Sequence, residues 1–388
     1  MEQWKDFMAV FNSWEHEYLY TFPGVSVRCM TDQVNVNVYI EAYLNAMPKH
    51  PSAYVSQQEH CVIHHRSSQA LLEQALELAG QLEPGHTLHV HKSGSKVNVY
   101  HGQGIRVCVC TDGHYVVIQP EEGDLLYVCT REEALEGGSY LLRVIRELIL
   151  RHAENRQGMI IHGAAAGGIG SEGVLICGDK ASGKTSFLLY LLGQGYEFVA
   201  NDRVILHQQH GAFSLEYVPL AIRVGLGSAE SFPELKVCLQ DYDFSRKQPA
   251  EWLNKDEDIL RKIGSSKKAE LTPQELSSLF GVPTCSDFQL KKIIFPKFDY
   301  ALPYARAFRM EQQAAQEELL KACMTPRDPN WLTPWLVKRV KQDAELEANA
   351  IQFITQLVEK CELIQVEFGH NTLRSAEHNE LFGKSSAL

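Results

Sequence analysis

One stretch of the chain combines residue types that are suited to binding phosphate. Residues 178–185 fit the pattern G-x-x-x-x-G-K-[ST] at every fixed position. In such a loop the glycines let successive backbone N–H groups turn towards one anion, and the lysine adds a mobile positive charge. The hydroxyl of Thr185 is placed to bind Mg²⁺. The residues predicted to contact a nucleotide are Gly178, Asp179, Lys180, Ala181, Ser182, Gly183, Lys184, Thr185 and Ser186.

The flanking residues predict the elements that hold this loop. An apolar strand, residues 174–177, enters the loop, and an apolar helical run, residues 186–192, follows it. This context of strand before and helix after supports a phosphate loop over a chance match. The start of the helix adds unpaired N–H groups and the positive end of the helix dipole to the same anion. The sequence therefore predicts a P-loop.

A second strand returns after the helix and ends in Asn201 and Asp202. One helix, a glycine turn and a short strand connect Lys184 to Asp202, which suits a parallel strand that returns to the same sheet edge. Ligands of α/β sheets bind at the carboxyl ends of the strands, so the Asp202 carboxylate is expected beside the loop. Asp202 is therefore a candidate for handling a proton and, with Thr185, for binding Mg²⁺.

The rest of the chain predicts the surroundings of this core. Residues 1–150 predict a β-rich α+β module, with a strand pair or long hairpin at 25–40, a helix at 68–81 and five short strands between 87 and 130. Residues 151–388 are predicted to form the nucleotide-binding domain, followed by a helical cap at its C-terminal end. The helix that joins the two is expected to start near Ser139, because two adjacent glycines weaken its first half.

Bulk composition narrows the class of protein. A length of 388 residues suits two domains, and a net charge of −11 argues against nucleic acid as the main partner. No apolar run approaches the roughly 20 residues that span a bilayer, and the first residues lack the long apolar core of a signal peptide. We expect a cytoplasmic protein with no membrane partner, and homo-oligomerisation stays open.

The order of motifs in residues 158–230 resembles the HPr serine kinase/phosphorylase family, whose nucleotide domain is related to phosphoenolpyruvate carboxykinase. The family pattern is a His-Gly at a strand end, a strand into a P-loop, a glycine return and an acidic pair. In this chain the corresponding residues are His162-Gly163, 178–185, Gly195 and Asn201-Asp202. The resemblance implies an α/β fold with a mixed sheet, ATP and Mg²⁺ as cofactors, and transfer of the γ-phosphate to a hydroxyl.

Three further residues near these motifs are candidates, each with a structural alternative. The resemblance implies that His162 contacts the γ-phosphate or the acceptor, whereas an ordinary histidine here would cap a loop. Arg203 and Arg223 are placed to neutralise transition-state charge, but arginines near a sheet edge equally often form surface ion pairs.

The chain departs from the family at Asn201. The family usually carries two acidic residues here, and the first is the usual candidate for activating the acceptor hydroxyl; an amide cannot take that proton. Three interpretations follow: Asp202 acts as base and metal ligand together, Asn201 holds Mg²⁺ or the acceptor while Asp202 takes the proton, or the site binds nucleotide without transfer. Phosphoryl transfer relies chiefly on positioning and charge stabilisation, so losing one base need not abolish it.

The expected function is ATP-dependent transfer of the γ-phosphate to a hydroxyl of a peptide, a protein serine or a small molecule. Its expected catalytic residues are Asp202, Lys184, His162 and Asn201. Residues 1–150 do not match the family's N-terminal domain, which favours an acceptor other than HPr. Two alternatives stay open: a nucleotide-binding regulatory protein with a degenerate site, motivated by Asn201, and a simple ATPase.

Overall fold

A computed structural model shows two compact units. Unit 1 takes the described residues of 1–44, 50–157 and 325–346, and unit 2 takes those of 158–324 and 347–388. The expected boundary at residue 150 therefore falls inside the last helix of the first stretch. The structure describes residues 2–22, 24–44, 59–90, 96–121, 124–131, 134–168, 172–225, 228–232, 234–235, 268–285, 288–328, 333–369 and 373.

Unit 1 is built on an eight-stranded mixed sheet of order β1-β2-β3-β8-β7-β6-β5-β4. Strand β3 runs parallel to both of its neighbours, and the other pairs are antiparallel. In chain order the elements are α1 (Glu2–Ala9), a short 3-10 helix (Val10–Asn12), β1 (His16–Phe22), β2 (Val25–Thr31), α2 (Val34–Leu44), β3 (Glu59–Ser67), α3 (Gln69–Ala79), β4 (Glu83–His89), β5 (Lys96–Gly102), β6 (Ile105–Cys110), β7 (Tyr115–Pro120), β8 (Leu125–Thr130) and α4 (Ala134–Asn155).

The two faces of this sheet are covered by different helices. Helices α1 and α3 bury Phe7 and Leu72 in one cluster with Val116 of β7. Tyr115, the next residue along β7, points to the opposite face because side chains alternate along a strand. There its ring stacks on Tyr140 of α4, with 5.1 Å between the ring centroids. Unit 1 is thus a sheet with helices on both faces.

Most sequence predictions for unit 1 are confirmed, and two are wrong. The five short strands are present, and the 68–81 helix is α3, capped by the Ser68 hydroxyl. The hairpin expected at 25–40 is only β2 followed by α2. Buried Val36 and Ile40 lie four residues apart on α2, whereas Val34 and Val38 are exposed, so a helical period was hidden in the alternation. Helix α4 starts at Ala134, not near Ser139, despite its two glycines.

The segment 325–346 belongs to unit 1 although its neighbours in the chain belong to unit 2. The Trp335 side chain is buried, and its backbone N–H donates to Glu147 Oε1 at 2.9 Å. Arg339 donates to both carboxylate oxygens of Glu154 at 2.8 and 3.1 Å. These hydrogen bonds attach the segment to α4, a return that the sequence did not indicate.

Unit 2 contains a nine-stranded mixed sheet of order β12-β10-β11-β17-β14-β13-β9, in which β19 pairs with β17 and β18 pairs with β19. A two-stranded ribbon, β15 with β16, is separate from it. The elements are β9 (Met159–Ile161), β10 (Gly163–Gly167), β11 (Glu172–Cys177), α5 (Lys184–Gly193), β12 (Glu197–Asn201), β13 (Val204–Gln209), β14 (Ala212–Tyr217), β15 (Ile222–Gly225), α6 (Ser228–Ser231), β16 (Lys268–Leu271), α7 (Pro273–Phe280), β17 (Phe288–Phe298), β18 (Arg306–Arg309), α8 (Gln312–Ala322), α9 (Asp343–Lys360) and β19 (Glu362–Phe368).

The topology around the predicted loop agrees with an α/β arrangement. Strands β11, β17 and β19 are parallel, and α5 buries Phe187 to Leu192 in the core of the unit. The returning strand β12 runs in the same direction as β11, but β10 lies between them and is antiparallel to both. None of the helices in the described part of the chain is long and apolar enough to span a bilayer.

Candidate functional site

Three separate stretches of unit 2 meet at one edge of its sheet because of the direction of β10. Gly163, the first residue of β10, is paired with Cys177 at the end of β11, and Ala164 is paired with Asn201 at the end of β12. The residues just outside these strand ends are His162, the 178–183 loop and Asp202. The antiparallel strand therefore places a histidine between the loop and the carboxylate.

Gly163 is required by the close packing of β10 on β11. A Cβ atom at this position would lie 2.8 Å from the backbone oxygen of Ile176. Contacts shorter than 3.0 Å to a backbone atom cannot be relieved by a rotamer change, so a larger residue would push the two strands apart. The His-Gly pair noticed in the sequence thus combines a site residue with a packing requirement.

The 178–183 loop adopts backbone conformations that are rare outside glycine. Gly183 has φ of +96°, and Ala181 has φ of +68°. A Cβ at position 183 would lie 2.5 Å from the ring of Phe368. The loop is held at its far end by the N–H of Phe298, which donates to the Ser182 carbonyl at 3.0 Å. The loop conformation is therefore fixed by β17 and β19.

Helix α5 begins directly after the loop, with Gly183 as its N-cap residue. The first turn closes through the N–H of Phe187, which donates to the Gly183 carbonyl at 2.9 Å. The N–H groups of Lys184, Thr185 and Ser186 precede that bond and have no acceptor within the helix. Glycine has no side chain that could accept a hydrogen bond from these donors. The N–H groups and the positive end of the helix dipole both point towards the loop.

Lys184 folds back over the 178–183 loop. Its Nζ donates to the carbonyl oxygens of Gly178 and Asp179 at 2.7 and 2.8 Å. Burial lowers the pKa of Lys184, and the charge of nearby Lys268 lowers it further, whereas the carboxylates of Asp202 and Asp179 oppose the shift. The ammonium group is thus held in place by carbonyls that it can leave for a stronger anionic acceptor.

Asp202 occupies a strained backbone position and is held by a buried arginine. Its φ is +68°, a conformation that costs most residues energy and that often marks functional sites. Arg203 Nη1 donates to the carbonyl oxygen of Asp202 at 2.8 Å and to its Oδ2 at 2.9 Å. The Arg203 side chain is 1% exposed, whereas that of Asp202 is 39% exposed. Arg203 therefore orients the carboxylate from the protein interior, and the remainder of the Asp202 side chain is open to solvent.

The hydrogen bonds of His162 assign its tautomer. Its Nδ1 lies 3.0 Å from the Asp202 carbonyl oxygen and 3.2 Å from Arg203 Nη1. The two hydrogens of Nη1 match its two shorter contacts to Asp202, so Nδ1 carries the proton and donates to the carbonyl. Burial lowers the pKa of His162, the charge of Lys184 lowers it further, and Asp202 opposes the shift. A neutral ring then leaves Nε2 as a hydrogen-bond acceptor.

Asn201 and Asp202 differ in what they can reach. Asn201 is the last residue of β12 and is 7% exposed, whereas the Asp202 side chain lies beyond the strand and is open to solvent. Of the two residues at the departure from the family pattern, Asp202 is the one whose side chain is open to solvent.

The remaining sequence candidates lie at the margin of the site. Lys180 is exposed in the loop. Arg203 is buried and donates hydrogen bonds to Asp202. Arg223 is on β15, where its side chain is 54% exposed and pairs with Glu270 of β16 at 3.4 Å. The structure thus brings His162, Lys184, Asp202 and Arg203 together, and it places Arg223 in a surface ion pair.

Lys268 is a residue that the sequence reasoning missed. It is half-buried at the start of β16, and its charge acts on Lys184 and Asp202 at the site. The alternation of residues 268–271 indicates a strand. However, only the pairing of β16 with β15 brings Lys268 towards the loop, and no spacing motif signals that pairing.

The oxygen donors at the site fit Mg²⁺, the metal that the predicted nucleotide implies. In the described residues no group of three or more His, Cys, Asp or Glu side chains is arranged to hold a metal ion. Mg²⁺ usually takes only one or two protein oxygens and completes its shell with phosphate and water. The Thr185 hydroxyl and the exposed Asp202 carboxylate are such a pair.

Comparison of the sequence with known proteins identifies no relative of this chain. No protein-family model matches the chain, and no curated protein is significantly similar to it in sequence.

Proposed function

We propose that unit 2 is a P-loop kinase of the HPr kinase-like type, which transfers the γ-phosphate of ATP to a hydroxyl of a peptide, a protein serine or a small molecule. The observation that carries this proposal is the meeting of the Lys184 loop and Asp202 at one sheet edge. A phosphate-binding loop alone suits any nucleotide-binding protein. A strained, partly exposed carboxylate held in place beside it provides for an acceptor as well.

Each residue at this edge has a distinct role in the proposed reaction. The loop N–H groups and Lys184 bind the phosphates and stabilise the charge that develops during transfer. Thr185 and Asp202 would hold Mg²⁺, which supplies further charge neutralisation when bound. Arg203 fixes the orientation of the Asp202 carboxylate, and His162 would contact the acceptor beside it.

The proposed transfer forms one bond to the γ-phosphorus and breaks another. The acceptor oxygen forms a bond to the γ-phosphorus, and the bond from that phosphorus to the bridging oxygen breaks. ADP leaves with the electron pair of that bond, and the hydroxyl proton passes to the Asp202 carboxylate. Asn201 is nearly buried and an amide cannot take a proton, so the proposal gives the role of base to the more exposed Asp202.

The test separates phosphate binding from transfer with three variants of the full chain. Binding of Mg·ATP is measured by calorimetry. Transfer is measured with γ-labelled ATP against serine-containing peptides and small alcohols. Lys184→Ala should weaken binding at least tenfold, because it removes a charged hydrogen bond to phosphate. Asp202→Asn should weaken Mg·ATP binding less than about tenfold, because an amide oxygen can still bind the metal, and should lower transfer about a hundredfold or more. Lys5→Ala, which removes an exposed lysine on α1 of unit 1, is the control and should change neither.

Two results would contradict the proposal. Absence of Mg·ATP binding by the parent protein would remove the nucleotide site altogether. Tight binding that depends on Lys184, with no labelled product from any hydroxyl, would favour the regulatory alternative. Unchanged transfer in Asp202→Asn would leave a kinase but would exclude the role given to this carboxylate.

A further inference from the structure

The β15–β16 ribbon has one apolar face and one charged face. Its register pairs Arg223 with Glu270 and Gly225 with Lys268. Residues two apart on a strand point to the same side, so these four positions share one face. The opposite face is buried and consists of Ile222, Val224, Ala269 and Leu271. The apolar face fixes the ribbon to unit 2, and the charged face is left to point outwards.

The end of the ribbon that carries Lys268 is tied to the start of α5. Gly225, the partner of Lys268, is followed closely by Ser228, whose Oγ lies 3.4 Å from the Oγ of Ser186 in the first turn of α5. Gly225 has no side chain, and among the described residues a Cβ there would meet only Ser228 Oγ, at 4.0 Å. The flexible side chain of Lys268 therefore has room across the ribbon, on the side next to the loop.

The electrostatic surroundings of Lys268 agree with this placement. Burial lowers its pKa, and the charges of Arg223 and Lys180 lower it further, whereas the Asp202 carboxylate opposes the shift. Lys268 in turn lowers the pKa of Lys184. Lys184 and Lys268, both half-buried, thus share the vicinity of Asp202, and Asp179 is a second carboxylate close to Lys184. Such an excess of positive charge is costly unless an anion of higher charge binds there.

We propose that Lys268 is a second phosphate-binding lysine, which contacts the γ-phosphoryl group of a nucleoside triphosphate. This inference rests on the proposed function of unit 2. Lys184 is bound to carbonyls of the loop, where it serves the phosphates nearest to α5. Lys268 lies at the end of the ribbon that Ser228 joins to the first turn of α5, and it is not on the loop itself, so its ammonium group is assigned to the terminal phosphate. It holds that group in position during the transfer.

Lys268 suits this role better than Arg223 does. Both lie on the charged face of the ribbon, but Arg223 is at the position farther from α6 and is paired with Glu270 at 3.4 Å. Its side chain is more than half exposed, so its charge is largely screened by water. Arg223, which the sequence suggested, is thus a neighbour of Lys268, the residue proposed to bind the phosphate.

The test compares two nucleotides that differ in the γ-phosphate, and it needs no acceptor. Binding of Mg·ADP and of the non-hydrolysable Mg·AMP-PNP is measured for the full chain by calorimetry. Lys268→Met should weaken binding of Mg·AMP-PNP about ten- to a hundredfold, the usual effect of losing a charged hydrogen bond, and should leave Mg·ADP binding within about twofold. Lys268→Arg should restore most of the loss, and Arg223→Met is the matched control on the same face.

The outcomes distinguish this inference from the proposed function. If Lys268→Met binds Mg·AMP-PNP like the parent while Lys184→Ala does not, the role of Lys268 is excluded and the kinase proposal stands. If Lys268→Met weakens both nucleotides equally, the assignment to the γ-phosphate is wrong. If the parent binds neither nucleotide, the proposed function fails, and this inference fails with it. Thermal unfolding of each variant, together with the Lys268→Arg rescue, controls for misfolding.

Discussion

Unit 1 buries charged side chains in closed groups, whereas unit 2 collects charges at an open sheet edge. Arg151 of α4 is fully buried between Glu147 and Glu154, at 3.2 and 2.8 Å. Glu154 also pairs with Arg339 from the returning segment. At the edge of the unit 2 sheet, by contrast, Arg203 pairs with Asp202, whose side chain is 39% exposed, and the charges of Lys184 and Lys268 interact with the same carboxylate.

The contrast separates charges that pair inside a fold from charges that are left partly open at a sheet edge. A buried ion pair needs its hydrogen bonds satisfied inside the protein. In the α4 group Glu147 Oε1 and both Glu154 oxygens are bonded to protein donors, whereas Glu147 Oε2 has no hydrogen-bond partner among the described residues. The unit 2 site has more cations than anions and a residue in a strained conformation. These features cost stability, and they are typical of sites that bind or react.

The largest effect should come from opening the buried group of unit 1. We expect Arg151→Met to lower the free energy of unfolding by about 3–5 kcal/mol, because Glu147 would keep a buried charge without its cation. Denaturant unfolding measures the change. Arg28→Met is the control, because the Arg28–Glu17 pair is about half exposed on both sides and should contribute less than about 1 kcal/mol. Similar losses in the two variants would show that burial does not set the strength of these pairs.

A second effect should appear as unit 1 is acidified. His65 is buried, its Nδ1 lies 2.9 Å from Thr31 Oγ1 and its Nε2 lies 3.0 Å from Thr130 Oγ1. Burial lowers its pKa to about 4, Asp32 opposes the shift and Arg66 adds to it. The folded pKa lies below the unfolded value of about 6.5, so the unfolded chain binds the proton first. Stability is therefore complete above pH 6.5 and falls between pH 6.5 and 4, by about 3 kcal/mol.

Denaturant unfolding across this pH range measures that loss. His65→Gln should be less stable at neutral pH but should show a flatter dependence on pH. His60→Gln, an exposed histidine on the same strand, is the control and should follow the parent curve. A parent curve that is flat from pH 6.5 to 4 would contradict the assignment of a neutral, buried His65.

The smallest effect concerns the strained backbone at Asp202. Asp202→Gly and Asp202→Ala both remove the carboxylate, so the difference between them reports the backbone alone. At a φ of +68° we expect the glycine variant to be more stable by about 1 kcal/mol in thermal unfolding. At Asn201, inside β12, the order should reverse, since glycine weakens a strand relative to alanine. The same order at both positions would mean that Asp202 carries no backbone strain.

The local elements of this protein could be read from sequence because their signals are local. Alternating residues predicted β4 to β8, and Ser68 marked the start of α3. The prediction failed where one pattern suits two structures: residues 34–44 alternate like a strand, yet their buried positions follow a helix. The two glycines near the start of α4 did not delay that helix, because packing within the unit outweighs a propensity cost of about 1 kcal/mol per glycine.

Part of the candidate site could be predicted from sequence, because some of its residues also carry local signals. Residues 178–185 and Asp202 stand out because each lies next to a strand end, and strand direction can be inferred from chain order. The placement of His162 depended on β10 running antiparallel between β11 and β12, and only the ladder register shows that. Lys268 lies far along the chain from the loop, and its approach depends on the pairing of two short strands.

Residue types and spacing were sufficient to indicate phosphate chemistry, because glycines, a lysine and a hydroxyl at fixed intervals act through backbone geometry that lies within one turn and one helix. Folding in three dimensions decided the partners of each charge: Arg203 beneath Asp202, Glu270 beside Arg223, Trp335 on α4, and Lys268 near Lys184. Those pairings join residues that are distant in the chain. Their formation depends on how whole strands align and what they bury, which no short window of sequence records.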